Sequence, residues 1–72
     1  MPSKYPVCTP KDVIRVLERY GFSYVSQKGS HAKYKDGVNV TIIPMHSKLA
    51  KGTLKSILAQ AGISLEDFMK VL

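Results

Sequence analysis

The sequence has few residues of several kinds, and each shortage excludes a class of protein. It contains one cysteine, no tryptophan and only five acidic residues among 72. A single cysteine cannot form an intramolecular disulfide framework and is compatible with a reducing compartment. No apolar run approaches the length of a membrane span. The chain is also too short for a second hydrophobic core, so we expect one domain over residues 1–72 and no membrane partner.

Metal-binding patterns are missing as well. The sequence has two histidines, one cysteine and five scattered acids, without the clustered spacing that a structural zinc site requires. We therefore expect no metal ion and no cofactor. Residues 1–7 lack the apolar core of a secretion signal, which favours a cytoplasmic protein.

Cationic residues, by contrast, are abundant. Lysine and arginine total 11, the formal net charge is +6 and the pI is near 9.7. A small domain with this charge indicates an acidic partner, and nucleic acid fits best. A basic surface without a specific ligand is the alternative.

Cap signals predict three helices. Thr9–Asp12 combines a hydroxyl N-cap, a proline at the first helical position and an acid in the first turn, and Gly21 can end that helix in a left-handed conformation. A second helix begins near Lys51 and ends at Gly62, and Ser64 caps a short terminal helix. The expected apolar stripes are Val13, Val16, Leu17 and Tyr20; then Leu54, Ile57, Leu58 and Ala61; then Leu65, Phe68, Met69 and Leu72.

Three short strands lie between the first two helices. We predict them at Phe22–Lys28, His31–Lys35 and Val38–Ile43, with Asp36-Gly37 as a hairpin signal and Pro44 as a stop. Consecutive strands with tight connections form an antiparallel meander. The predicted fold is therefore a small two-layer α+β domain, α-β-β-β-α with a short C-terminal helix, in which the helices cover one face of a three-stranded antiparallel sheet.

The second strand carries the one histidine that we single out as a candidate for chemistry. Because successive strand residues point to opposite faces, His31, Lys33 and Lys35 share one face while Ala32 and Tyr34 share the other. An imidazole can take a proton from a hydroxyl near a phosphodiester that the lysines hold. A half-exposed strand histidine without a role is the alternative. Gly29 allows close approach of a ligand, and Ser30 adds a hydroxyl.

Basic residues elsewhere extend this candidate site. Lys28, Lys33 and Lys35 could bind phosphates near the histidine, or form a solvated charged face. At the start of the second helix, Lys51, Thr53 and Lys55 could bind a further phosphate through free amides and charge. Ordinary capping by Gly52 or Thr53 is the alternative there.

The remaining aromatic and histidine side chains have open roles. Tyr20, Phe22 and Tyr34 are expected in the core, while Tyr5 and Tyr24 are ambiguous between packing and base stacking. His46 could be a second catalytic group, although fixing the loop after the third strand is favoured.

Several short motifs together resemble a known family. They are Gly21-Phe22, Gln27–His31, Pro44–His46, Gly52–Leu58 and Ala61-Gly62. In order and spacing they are similar to the HicA-type toxins of bacterial toxin-antitoxin modules, small ribonucleases that cleave messenger RNA and share the double-stranded-RNA-binding-domain fold. The resemblance implies that His31 is catalytic and that a HicB-type antitoxin neutralises the toxin by covering it.

With that resemblance, we expect an endoribonuclease that uses histidine acid-base catalysis without a metal. The alternative is a non-catalytic RNA-binding module with the same fold. Because Lys28–Ser30 is too short to reach into a minor groove, single-stranded or loosely structured RNA is the expected substrate rather than a duplex.

Overall fold

The structure, a computed structural model, describes residues 5–45 and 48–72. Its strands form one antiparallel sheet in which they lie in the same order as in the sequence, and its helices flank the three strands in sequence. The predicted α+β fold is confirmed. The elements are α1 Pro10–Arg19, β1 Ser23–Lys28, β2 His31–Lys35, β3 Val40–Pro44, α2 Lys51–Ala61 and α3 Leu65–Val71.

The first helix begins with a reciprocal cap. The Asp12 amide donates to Thr9 Oγ1 at 3.3 Å, and the Thr9 amide donates to Asp12 Oδ2 at 3.0 Å. The bond from the Thr9 backbone amide is the main reason that the pKa of Asp12 lies below its ordinary value. At the other end, Gly21 adopts a φ of 92°, a conformation that suits glycine. Both predicted ends of α1 are therefore confirmed.

The core lies between the helices and one face of the sheet. Each helix contributes one buried side, and β2 and β3 contribute every second residue. This alternation follows from the period of two along a strand. The core residues on these elements are Val13, Val16 and Leu17 of α1, Ala32 and Tyr34 of β2, Ile43 of β3, Leu54, Ile57, Leu58 and Ala61 of α2, and Phe68 of α3.

A side chain of α2 closes the free edge of β3. Gln60 Oε1 accepts from the amide of Ile42 at 3.2 Å and from the hydroxyl of Thr41 at 2.9 Å. The same hydroxyl also lies 3.3 Å from the carbonyl of Ile57, so this fully buried threonine is satisfied. Pro44, at the end of the strand, has no amide to offer. A free edge that is blocked in this way resists pairing with another chain.

The opposite edge, β1, is far more open. All six of its residues are exposed, and its register with β2 shifts between Tyr24 and Ser26. Val25 is thus the extra residue of a β-bulge. The strand begins at Ser23 because Phe22, predicted as its first residue, is instead buried and donates its amide to the carbonyl of Leu17.

The turn before β3 is longer than predicted. The Asp36 carboxylate accepts from the amides of Val38 and Asn39, at 2.8 and 2.6 Å. These two bonds hold the chain in a turn, so β3 starts at Val40 rather than Val38 and runs through Pro44 instead of stopping before it. The bond from Asn39, followed by that from Val38, lowers the pKa of Asp36.

Three positions of the predicted apolar stripes are exposed, so they were wrongly expected to face the core. Tyr20 is 38% exposed, because its hydroxyl donates to the carbonyl of Asp67 at the surface. In α3, Met69 and Leu72 are also exposed. This seven-residue helix packs through Phe68, with Leu65 and Val71 half-buried one turn away on either side.

None of the helices in residues 5–45 and 48–72 combines the length and apolar character needed to cross a membrane.

Candidate functional site

The β1–β2 hairpin brings most of the predicted site residues together. Lys28 and His31 are cross-strand partners, joined by the two-residue turn Gly29-Ser30. Gly29 has a φ of 61°, and Gln27 Nε2 donates to its carbonyl at 3.0 Å. A positive φ at the first turn position is what a tight hairpin of this kind requires. Glycine is therefore needed here for the turn itself.

The outer face of β2 presents the predicted column of cations. His31, Lys33 and Lys35 are exposed, while Ala32 and Tyr34 between them are buried. The predicted division of this strand into two faces is confirmed. Because directly opposite residues of an antiparallel pair share a face, the Lys28 side chain lies on the same side of the sheet as His31.

Within the three strands these cations have no acidic neighbours, and the acid next to Lys35 along the chain, Asp36, belongs to the turn before β3. None of the three strands contains an aspartate or glutamate. In the part of the chain that the structure describes, the ion pairs are Arg15–Asp12 and Lys70–Asp67, and both lie within helices. The outer face of the hairpin therefore carries positive charge that is not neutralised by a pair among these residues.

The turn at Gly29-Ser30 is tied to the segment that follows β3. The amide of Met45 donates to the carbonyl of Ser30 at 2.6 Å. This bond extends the β2–β3 pairing by one residue and fixes the backbone immediately before His31. The predicted roles of His46 lie outside the described residues.

The start of α2 is a separate basic region. Its N-cap is Ala50, and no side chain caps the helix, so capping by Gly52 or Thr53 does not occur. The Lys51 ammonium lies 6.0 Å from the ring centroid of Tyr5 rather than beside the hairpin. Lys55 is exposed. These contacts do not join the helix start to the hairpin.

The aromatic side chains are mostly structural. Phe22 and Tyr34 are buried, as predicted. Tyr24 is 57% exposed and meets Tyr34 edge to face, with ring centroids 5.8 Å apart. Burial, and then the negative charge of Glu18, raises the pKa of Tyr34. The Tyr24 ring contacts a side chain of the buried face, so it does not form a stacking platform beside His31.

Other reactive groups are remote or inert. Among the described residues, no three side chains of the histidine, cysteine, aspartate and glutamate types come close enough to hold a metal ion. Cys8 is buried, and burial followed by the charge of Asp12 raises the pKa of its thiol. A raised pKa disfavours the thiolate, so Cys8 is a packing residue rather than a nucleophile.

Comparison with known families agrees with the motifs. A family model described as the HicA toxin of bacterial toxin-antitoxin matches residues 10–63. That range begins at the first residue of α1 and ends just beyond α2, so it includes the whole hairpin. The chain belongs to the HicA toxin family. As a HicA toxin it has an antitoxin partner. A comparison with curated protein sequences finds no match.

Sequence reasoning missed three features around this HicA hairpin. It did not predict the bulge at Val25, the closure of the β3 edge by Gln60 or the exposed apolar residues of β3 beside the lysines. Only the last had a signal in the sequence. Val40 and Ile42 alternate with buried residues of β3 and must therefore face outward once the strand is placed.

Proposed function

We propose that this HicA-family chain is an endoribonuclease that cleaves messenger RNA with His31 as its catalytic residue. The observation that carries the proposal is the position of His31 on an exposed, acid-free sheet face, opposite Lys28 and next to Lys33. A chain of 72 residues is too small to enclose a deep cleft, so its active site must be a shallow surface. The exposed sheet face around His31 is a surface of that kind.

The chemistry follows from the groups on this face. Neutral His31 accepts the proton of a ribose 2′-hydroxyl, and the resulting oxygen attacks the adjacent phosphorus. The bond from phosphorus to the 5′-oxygen breaks, which leaves a 2′,3′-cyclic phosphate on one fragment and, after protonation from solvent, a 5′-hydroxyl on the other. DNA lacks the 2′-hydroxyl and is therefore not a substrate. No step requires a metal or a cofactor.

Lysines hold the substrate in this proposal. Lys28, Lys33 and Lys35 bind the phosphates on either side of the cleaved bond, and the Gly29-Ser30 turn lets the RNA backbone approach. Lys51, Thr53 and Lys55 bind the same RNA farther along, where the first amides of α2 have no side-chain cap. The two-residue turn between β1 and β2 is too short to enter a minor groove, which favours single-stranded RNA.

Regulation requires a partner that covers the hairpin. In residues 5–45 and 48–72 the helices pack on the opposite face of the sheet, so none of these elements covers the exposed residues around His31. A HicB-type antitoxin with acidic groups that mimic phosphates would occlude this face, and complementary charge would speed its association. We place this activity in the cytoplasm, where messenger RNA is translated.

The decisive experiment is cleavage of a defined single-stranded RNA in the presence of a chelator. Wild-type protein should cut it and leave cyclic phosphate ends, and an oligonucleotide with one 2′-deoxy residue at the cut site should survive. His31→Ala should lower the rate by about 10²–10⁴-fold, the usual contribution of a general base. Its thermal unfolding should match that of the wild type, because the side chain is exposed.

Two results would contradict the proposal. If His31→Ala retains the wild-type rate, His31 is not the base. If wild-type protein binds the RNA tightly but never cleaves it, the chain is a non-catalytic RNA-binding module in which His31 contacts only the backbone.

A further inference from the structure

The outer face of the sheet contains two columns of different chemistry. The lysine column consists of His31, Lys33 and Lys35 on β2. Beside it runs an apolar column on β3, formed by their cross-strand partners. The pairs are His31 with Pro44, Lys33 with Ile42, and Lys35 with Val40.

The apolar column is exposed and makes no contribution to the core. Val40 is 48% and Ile42 36% exposed, while their neighbours Thr41 and Ile43 are fully buried on the other face. Strand propensity favours β-branched residues at such positions, but threonine would serve that purpose as well. Two exposed aliphatic side chains in one line next to a catalytic face therefore suggest a use in binding.

RNA is a poor match for this column. Binding of single-stranded nucleic acid depends on cationic grooves and on aromatic rings that stack the bases, and the apolar column offers neither. A protein interface, in contrast, has an apolar centre with charged and polar residues around it. The two columns together have that composition.

The edge of β3 also limits the direction from which a partner protein can approach the apolar column. The amide of Ile42 is already bonded to Gln60 Oε1, and Pro44 has no amide. Neither Ile42 nor Pro44 can therefore donate an amide to an added strand, which disfavours extension of the sheet at this edge. An approach from above the sheet is favoured, through the side chains of Val40 and Ile42, and from there the partner also reaches the lysine column.

We propose that the antitoxin binds both columns at once, with acidic side chains on the lysine column and apolar side chains on the apolar column, whereas RNA contacts the lysine column but not the apolar column. The inference rests on the proposed function, because it assigns the lysine column to RNA. The toxin thereby offers its inhibitor a surface that its substrate does not use. Changes in the apolar column should separate inhibition from catalysis.

The test uses the double variant Val40→Thr/Ile42→Thr, which keeps β-branched residues in the strand. Its affinity for the purified antitoxin of the same module is measured by calorimetry, and its RNA cleavage and RNA binding are measured without antitoxin. Loss of two apolar anchors should weaken antitoxin binding by about tenfold or more. RNA cleavage and RNA binding should stay at the wild-type level, so that more antitoxin is needed to inhibit the variant.

Two control variants define the outcome. Met69→Gln makes an exposed apolar residue of α3 polar, away from the sheet, and should leave antitoxin affinity unchanged. Lys33→Gln/Lys35→Gln should weaken antitoxin binding and RNA binding together. Circular dichroism and thermal unfolding show that each variant is folded.

Three results would overturn the inference. Unchanged antitoxin affinity in Val40→Thr/Ile42→Thr would mean that the partner does not use the apolar column. A parallel loss of RNA binding would mean that RNA uses it too. A wild-type dimer that the double variant converts to monomer, with antitoxin affinity intact, would assign the column to self-association. Antitoxin affinity is measured without RNA. The effect of Val40→Thr/Ile42→Thr on that affinity therefore tests the apolar column even if the wild-type protein does not cleave RNA.

Discussion

The two faces of the sheet show how one strand serves two purposes. On the inner face, Ala32 and Ile43 lie next to each other and are almost completely buried against the helices. On the outer face, Lys33 and Ile42 form the adjacent pair and remain exposed. The inner face therefore provides most of the packing that stabilises the fold. The residues of the outer face are not constrained by packing and can serve binding and catalysis. Neighbouring residues of the same type should respond very differently to substitution.

The isoleucines of β3 give the largest expected contrast in stability. Ile43→Ala should lower the free energy of unfolding by about 2–5 kcal/mol, because it leaves a cavity in the core. Ile42→Ala should cost about 1 kcal/mol or less, since it removes a partly exposed side chain and some strand propensity. Urea denaturation of both variants measures the difference. Equal losses would show that the outer face also supports the fold.

The glycines of the two hairpin turns make a second matched pair. Gly29 has a φ of 61°, whereas the φ of Gly37 is not in the left-handed region. At either position an added Cβ would meet no atom within 4 Å, so the two glycines differ in backbone conformation and not in available space. Gly29→Ala should therefore destabilise the protein by about 1–2 kcal/mol through backbone strain. Gly37→Ala should be neutral or slightly stabilising. A thermal melt of each variant checks this, and equal melting temperatures would contradict the assignment of strain to Gly29.

A lysine on the outer face of the sheet and a lysine on a helix should differ in their effect on RNA binding. Each phosphate contact to a single strand contributes about −0.7 to the slope of log affinity against log salt. Lys33→Gln on the outer face should make the slope shallower by about that amount. Lys11→Gln, an exposed lysine of α1, should leave it unchanged. Filter binding across a range of salt gives both slopes, and identical slopes would make the outer face ordinary solvated surface.

The smallest expected effect is on the loss of stability at low pH. The pKa values of Asp12 and Asp36 are lowered in the fold from 3.8 by bonds from backbone amides. The unfolded chain therefore binds more protons than the folded chain below about pH 4, so the contribution of these groups is present at neutral pH and is lost as pH falls through the folded pKa values. Asp12→Asn and Asp36→Asn should each reduce the change in stability between pH 6 and pH 2. A steeper acid transition in these variants would contradict the sign.

Local signals predicted the parts of the fold that depend on near neighbours. The cap at Thr9, the end of α2 at Gly62 and the two faces of β2 follow from residues a few positions apart, and all three are confirmed. The turn at Asp36 is confirmed but is longer than predicted. The sequence does not show that the Asp36 carboxylate bonds to the amides of both Val38 and Asn39.

Features that depend on distant partners were not predictable in this way. Tyr20 has the spacing of a core residue, yet its hydroxyl bonds to Asp67 from the far end of the chain. Gln60 is an ordinary polar helix residue until α2 packs on β3 and brings it to the amide of Ile42. The periodicity of a segment indicates which residues share a side, but not which partner covers that side.

The candidate site combines both kinds of information. The sequence alone determined that His31, Lys33 and Lys35 share a strand face, that the chain is strongly basic and that its motifs are those of a HicA toxin. Only the tertiary structure decided the register that places Lys28 opposite His31, and that Val40 and Ile42 form an exposed apolar column beside the lysines. Side-chain direction repeats along a strand by local geometry, whereas register and coverage arise when separate elements pack together.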